Sequence, residues 1–217
     1  MVRCFFACVT NNKGKRRLVM ITAVEAKKRY TEVFKKHITR PGCDDLWAFI
    51  ENSDFFKAPA STKYHCSFDG GLVIHSVNVF ERLRKLIATE EGMDYSDETV
   101  AIAALCHDLC KANFYTVEMR NRKNAQGAWE KYPVFAVDDK LPMGHGEKSL
   151  FLLQRHIKLA TEEALAVRWH MGSSDASVKG GEGMFAMGKA YNTYPLCVML
   201  HIADMQATYL DEIEEEQ

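Results

Sequence analysis

No apolar run in this sequence approaches the length of a membrane span, and the chain carries almost no net charge. The first absence argues against a helical membrane protein. The second, a formal charge of −1, means that nothing global advertises a phosphate-rich polymer as partner, although a local basic patch remains compatible with it. The seven cysteines are Cys4, Cys8, Cys43, Cys66, Cys106, Cys110 and Cys197; they are odd in number, dispersed, and never spaced C-x-x-C. That pattern fits reduced thiols better than a disulfide framework. Cys106 and Cys110 read as small buried hydrophobes. The N-terminus has a basic residue and a brief apolar stretch but no full hydrophobic region or cleavage site, so a cytoplasmic protein without a signal peptide is expected. No P-loop and no Ser-His-Asp or Cys-His arrangement is suggested.

What is present fits an ordinary globular domain: 217 residues, 47% of them hydrophobic and 26% charged, are enough for one well-buried core and rule against disorder. The organisation expected is an N-terminal arm over 1–22, one helical domain over 23–212, and an acidic tail over 213–217, with residues from Asp211 onward frayed. The pair Arg16-Arg17 could be encoded by AGG-AGG, a purine-rich ribosome-binding sequence, just ahead of Leu18-Val19-Met20; other arginine codons there would remove this reading. Met20 is therefore a candidate start, and an ordinary N-terminal arm is the other reading.

Helical periodicity runs from Ala23 to about His37, with Val24, Tyr30 and Phe34 available for one side. Asp44-Asp45 cap a short apolar helix through Ile50. Asp69 is the expected N-cap of a helix from Gly70 to about Glu90. Ser96 opens the next, which runs through a small-residue stretch into His107-Asp108. Residues 114–137 change to strand-like composition around Asn124-Ala-Gln-Gly127 and predict an inserted β-hairpin, with Pro133 confining its strand to an edge. Helices are expected again from Gly146 to Ile157, from Thr161 to His170, and from about Tyr194 to Leu210; residues 173–192 read as loop. The fold class is mainly α with one hairpin.

Across these helices lie His75, His107-Asp108, His145, His170 and Asp204, each on or at the end of a different predicted helix. Helices around a common core can aim such groups at one point. Imidazole and carboxylate ligands suit one or two divalent ions, Mn, Fe, Co, Ni, Mg or Zn. Asp108 has two oxygens and can bridge a pair. Lys111 follows three after Asp108, on the same side, where a cation can hold a substrate phosphate. The ordinary alternative for any single histidine, a packed or turn residue, loses force when all stand in this order.

The order His75, His107-Asp108, Asp204 resembles the H…HD…D signature of the HD-domain phosphohydrolase superfamily. Residues 64–75, YHCSFDGGLVIH, resemble the H-x-x-x-x-G-G-L-x-x-H stretch of HD-domain exoribonucleases, and HDLCK at 107–111 resembles the HD-x-x-K motif of several branches. The resemblance spans residues 65–205. It implies an HD-type helical bundle in which His75, His107, Asp108 and Asp204 hold a first metal and His145 and His170 complete a second, with Asp108 bridging. Several two-metal relatives carry a further histidine where this chain has Met171. The resemblance implies a metal-dependent phosphohydrolase, a phosphomono- or phosphodiesterase, acting on a nucleotide or nucleic-acid end. Asp108 and Lys111 are the catalytic candidates, Lys111, His65 and Arg120 the substrate contacts, and Glu147 a weaker candidate for proton handling. His201 reads as packing behind Asp204. Cations and aromatics of the hairpin, such as Arg122, Trp129 and Tyr132, suit either a nucleotide grip or a solvated surface. A non-catalytic metal-bound nucleotide-sensing module and a di-iron HD-type oxygenase are the rival classes. The oligomeric state is left open.

Overall fold

The computed structural model describes residues 8–10, 16–18 and 21–212. The expected arm and the tail over 213–217 therefore lie largely outside the described residues. Within the arm, β1 (Cys8–Thr10) and β2 (Arg16–Leu18) pair antiparallel. The body is mainly α, as the sequence predicts. It comprises α1 (Ala23–His37), α2 (Cys43–Asn52), α3 (Gly71–Thr89), α4 (Asp97–Cys106), α5 (His145–Gln154), α6 (Thr161–Trp169), α7 (Gly181–Thr193) and α8 (Pro195–Gln206). An antiparallel hairpin, β3 (Tyr115–Lys123) and β4 (Trp129–Val137), is inserted between α4 and α5.

The centre of the fold is α3. Every residue from Gly71 to Phe80 is buried, and the helix packs against α1, α4 and α8. On α4, all seven residues from Val100 to Cys106 are buried, which is why its run of small and aliphatic residues shows almost no polar face. On the other side α6 packs against α5 and α8. A helix segment buried on all sides must be apolar all round, so the polar residues within the buried stretch of α3, His75, Ser76 and Asn78, each require a partner.

The terminal turns are set by local chemistry. Thr22 and Glu25 form a reciprocal cap at the start of α1, with Glu25 N–H bonding Thr22 Oγ1 at 3.2 Å and Thr22 N–H bonding Glu25 Oε2 at 2.9 Å. The inward face of α1 is Ala26, Tyr30, Val33 and Phe34, while Val24 is 80% exposed and not part of it. The cap of α3 is Gly70, not Asp69. Its φ of +80° suits glycine, and a Cβ there would sit 2.5 Å from the Ala23 Cβ. Likewise Gly42 precedes α2, and Asp44 and Asp45 fall in its first turn as dipole-favoured acids rather than caps. The expected loop over 173–192 contains α7, whose only fully buried residue is Ala190. The last helix stops at Gln206 and gives way to a π turn, Ala207–Asp211, so Asp211 and Glu212 are not frayed but buried, at 3% and 2% exposure.

A buried ion-pair network ties α1's exit to α6. Glu163, fully buried, accepts from Arg40 Nη1 at 2.7 Å and Nη2 at 2.9 Å, from Thr99 Oγ1 at 2.9 Å, and from the Ala160 N–H at 2.8 Å. Removing one member of such a network leaves the others desolvated. Glu163→Ala is expected to lower stability by about 3 kcal/mol in urea unfolding; a loss of a few tenths would contradict the network's role.

Nearby, Glu98 accepts from the Thr39 and Arg40 N–H groups at 2.7 and 2.9 Å. Burial works to raise its pKa, but these donors and the Arg40 charge outweigh it and hold the carboxyl below its usual value. A folded-state pKa below the unfolded one gives stability that is full above the ordinary carboxylate range and is lost as pH falls through it. Thermal stability is expected to drop between about pH 5 and pH 3, and less steeply in Glu98→Gln; an unchanged slope in the variant would remove Glu98 as a cause.

Candidate metal centre

Five helices deliver six side chains to one place. His75 comes from the second turn of α3, His107 caps the end of α4 with Asp108 one residue on, His145 opens α5, His170 follows α6, and Asp204 stands in α8. Asp108 leaves helical conformation at φ −103°, ψ 23° and starts a 3₁₀ turn over Leu109–Lys111. The neighbouring side chains His107 and Asp108 thus meet at one point, His107 Nε2 lying 3.4 Å from Asp108 Oδ2. A second local requirement falls on Gly146, where a Cβ would meet the Arg168 carbonyl oxygen at 2.2 Å. Its absence lets α5 close onto α6 and brings His145 beside His170, their ring centroids 5.2 Å apart.

The carboxylate of Asp108 divides the cluster. Its Oδ2 faces Lys111 Nζ at 2.7 Å, His107 Nε2 at 3.4 Å and His75 Nε2 at 3.6 Å. Its Oδ1 faces His145 Nε2 at 2.7 Å and His170 Nε2 at 3.4 Å. Asp204 Oδ1 closes the first group at 3.2 Å from His75 Nε2. These buried His and Asp groups can hold a metal ion: His75, His107 and Asp108 form one compact set, and His107, His170 and Asp204 another.

The second ring nitrogens test whether an ion fits. His107 Nδ1 lies 2.8 Å from the Ala104 carbonyl oxygen and His170 Nδ1 2.7 Å from the Val167 carbonyl oxygen. A carbonyl only accepts, so both Nδ1 atoms carry a proton, and in the neutral ring each Nε2 presents its lone pair inward. His75 Nδ1 is committed in the same way to the Glu212 carboxylate, at 3.0 Å from Oε2 and 3.1 Å from Oε1. Two inward nitrogens, His75 Nε2 and His107 Nε2, then lie 3.2 Å apart. Lone pairs that close repel unless positive charge lies between or beside them. The buried His170 Nε2 makes no well-formed hydrogen bond, with Asp108 Oδ1 at 3.4 Å its nearest charged group, a situation natural for a metal ligand. A divalent cation meets each of these demands.

The electrostatics agree. Burial opposes charge on His75, yet Glu212 and Asp204 outweigh it and raise the imidazole to about 10. Burial likewise opposes ionisation of Asp108 and Asp204, but Lys111, His107 and His145 hold the former well below the usual carboxylate value, and His75 lowers the latter. The site favours positive charge on or between its ring nitrogens, whether as protons or as a metal.

The cluster forms the floor of a cavity of about 810 Å³. His65 lies on its wall, with its ring centroid 4.9 Å from that of His75 and Nε2 unpartnered. Burial, then the neighbouring His75 and Lys111, push its imidazole down to about 4. Lys111 also lines the cavity. Arg120 does not: it sits on exposed β3, 3.8 Å from Glu118. The hairpin's other cations are likewise turned to its own face, Arg122 over Tyr132 and Lys123 over Trp129; only Tyr115 and Val137, at its base, reach the cavity. Glu147 is engaged elsewhere, capping α5 through the Gly144 N–H at 3.1 Å and pairing with Arg168 at 2.6 Å. His201 lies 2.7 Å from the His170 carbonyl oxygen through Nδ1, in a supporting position. Sequence reasoning missed Glu212 and Asn78 outright. Asn78's place three after His75 was the signal for the second; nothing local signals the first.

Among proteins of known activity, the chain is 27% identical over 118 residues to the dihydroneopterin 2',3'-cyclic phosphate phosphodiesterase of Methanocaldococcus jannaschii. The match takes in 52% of this chain and 43% of that protein, so the chain spans less than half the length of the relative it matches. No family model and no solved structure matches. No helix among the described residues is long and apolar enough to cross a membrane.

Elemental analysis of the purified protein is expected to find a bound divalent ion, and chelation to lower its melting temperature. Asp108→Asn is expected to release the ion while the far-ultraviolet helix signal persists. Full metal retention in that variant would contradict the geometry's reading.

Proposed function

We propose that this chain is a metal-dependent phosphohydrolase of the HD-domain type, cleaving a phosphate ester of a nucleotide or nucleic-acid end. In this reading His75, His107, Asp108 and Asp204 hold one divalent ion, and His145 and His170, with Asp108 between, hold a second. The observation that carries it is the convergence of those six side chains from five helices, with three imidazoles locked by their Nδ1 atoms to present Nε2 inward. The relative named a phosphodiesterase supports the reaction class, and its named substrate adds 2',3'-cyclic phosphate diesters to the substrates worth offering.

A divalent ion at such a centre supplies a hydroxide near neutral pH and neutralises charge on a phosphoryl oxygen. The protein's own groups do the rest. Lys111, on the cavity wall and 2.7 Å from Asp108 Oδ2, offers its ammonium to the substrate's phosphate oxygens and steadies the charge that develops on them. Burial disfavours its charge, but Asp108 outweighs this and raises its pKa, so it stays a cation. Asp108 stays ionised among Lys111 and the imidazoles and acts through its charge. His65, on the cavity wall and with an Nε2 that has no hydrogen-bond partner, is a polar contact for substrate. The cavity's volume suits a nucleotide-sized ligand. A phosphate-anchoring lysine at the cluster also favours phosphate chemistry over an oxygenase or a purely structural cage.

The test is a hydrolysis panel of aryl phosphates, 5'-nucleotides, nucleoside 2',3'-cyclic phosphates and short oligonucleotides, run with added Mn²⁺ or Co²⁺. His107→Ala and Asp108→Ala are expected to abolish cleavage with helicity intact. Lys111→Met is expected to lower kcat/KM by about 10²- to 10³-fold. Undiminished activity in Asp108→Ala would sink the proposal.

A further inference from the structure

The last described residue, Glu212, reaches the first proposed ligand across 137 positions of sequence. Its carboxylate is 2% exposed. Both oxygens lie on His75 Nδ1, at 3.1 and 3.0 Å, and Oε1 also accepts from Asn78 Nδ2 at 2.9 Å. Asn78 stands one helical turn beyond His75 on α3, so both donors come from one face of that helix. Arg82, one turn further on, grips the preceding residue, its Nε 2.6 Å from Asp211 Oδ2 and its Nη2 on Oδ1. Three consecutive turns of α3 thus hold the segment that follows α8.

The π turn is what aims the segment. Residues of an α-helix turn by about 100° each, so a continued α8 would place Glu212 roughly 80° around from Asp204. The wider turn over Ala207–Asp211, closed by the Glu212 N–H to Ala207 carbonyl bond at 3.1 Å, rotates each residue by less and brings Glu212 round toward the α3 side that Asp204 faces.

This contact differs from those at the other imidazoles. His107 and His170 are fixed by neutral carbonyls three residues back in their own helices. His145 Nδ1 lies 3.3 Å from the Cys110 thiol, so among the described residues His75 is the one of the four proposed ligand imidazoles whose Nδ1 is backed by a carboxylate. A carboxylate behind a ligating imidazole fixes its tautomer and makes the opposite nitrogen a stronger donor, and removing such a partner typically weakens metal binding by about 10- to 100-fold.

We infer that Glu212 is a positioning residue for the metal centre. It orients His75 and strengthens its Nε2 as a ligand, and the Arg82–Asp211 pair and the π turn hold it there. The inference rests on the function proposed above, in that it takes His75 to be a ligand. It makes the end of the chain's helical body part of the site.

The test is titration of the metal-free protein with Co²⁺, reading the dissociation constant and the visible absorption of the bound ion. Melting temperatures are taken with and without Co²⁺. Glu212→Leu keeps the apolar volume but offers no acceptor; Glu212→Gln keeps a neutral acceptor oxygen. The expected order of affinity is wild type, then Glu212→Gln, then Glu212→Leu, with the last about 10- to 100-fold weaker than wild type and its absorption band altered. If Glu212→Leu does not fold, Glu212→Gln decides alone: weaker binding with a changed spectrum supports the inference. Affinities equal within twofold and identical spectra would overturn it while leaving the proposed function standing, since Glu212 would then be a packing residue only. Failure of the wild-type protein to bind Co²⁺ would instead overturn the proposed function and this inference with it.

Discussion

The Asp108 carboxylate is buried among four imidazoles and a lysine, and the rest of the arrangement is organised around it. One oxygen meets Lys111, His107 and His75; the other meets His145 and His170. A carboxylate 2% exposed is tolerable only when positive charge compensates it. Each of those groups arrives on a different helix or turn, so the compensation is built by the packing of α3, α4, α5 and α6 together. The core exists in this shape, with α3 buried for three turns, partly because a site at its centre needs walls on every side.

That constraint links fold to function. The locked Nδ1 atoms orient the rings before any ligand arrives, so a cation meets preformed donors rather than paying to order them. Lys111 and His65 line the cavity together with His75, Asp108, His145 and Asp204. The proposed function uses an ion held by the cluster and the lysine on the cavity wall, the two parts that phosphoryl transfer requires. The distant likeness to a phosphodiesterase is independent of this geometry and points the same way.

Much of this was legible in the sequence because the signals were local. The hairpin announced itself by strand-forming residues around an Asn-Ala-Gln-Gly turn and formed within a residue or two of the expected bounds. His75, His107, Asp108, His145, His170 and Asp204 could be proposed as a set because the sequence puts them on or beside different apolar helices, and the structure brings them together. What escaped was set by tertiary contact. Helix α7 carries Gly181, Gly183 and Gly188 and a largely exposed surface, so its pattern resembles a loop. Val24 looked like core because its spacing allowed it, but the α1 face that meets α3 is the one through Ala26 and Tyr30. Asp69 had the right residue type for a cap, yet the tight approach of Ala23 demanded glycine one residue later. Arg120 looked like a substrate contact from its neighbours' charge, but the hairpin is long and only its base touches the cavity. Glu212 sits in an acidic stretch that reads as a solvated tail, and its partner is in α3.

The most direct measurement is anomalous X-ray diffraction from crystals grown with Mn²⁺ or Co²⁺. The account expects a peak among His75 Nε2, His107 Nε2, Asp108 and Asp204, with any second peak between Asp108, His145 and His170. Anomalous density elsewhere on the molecule, with these side chains unchanged and unliganded, would contradict it.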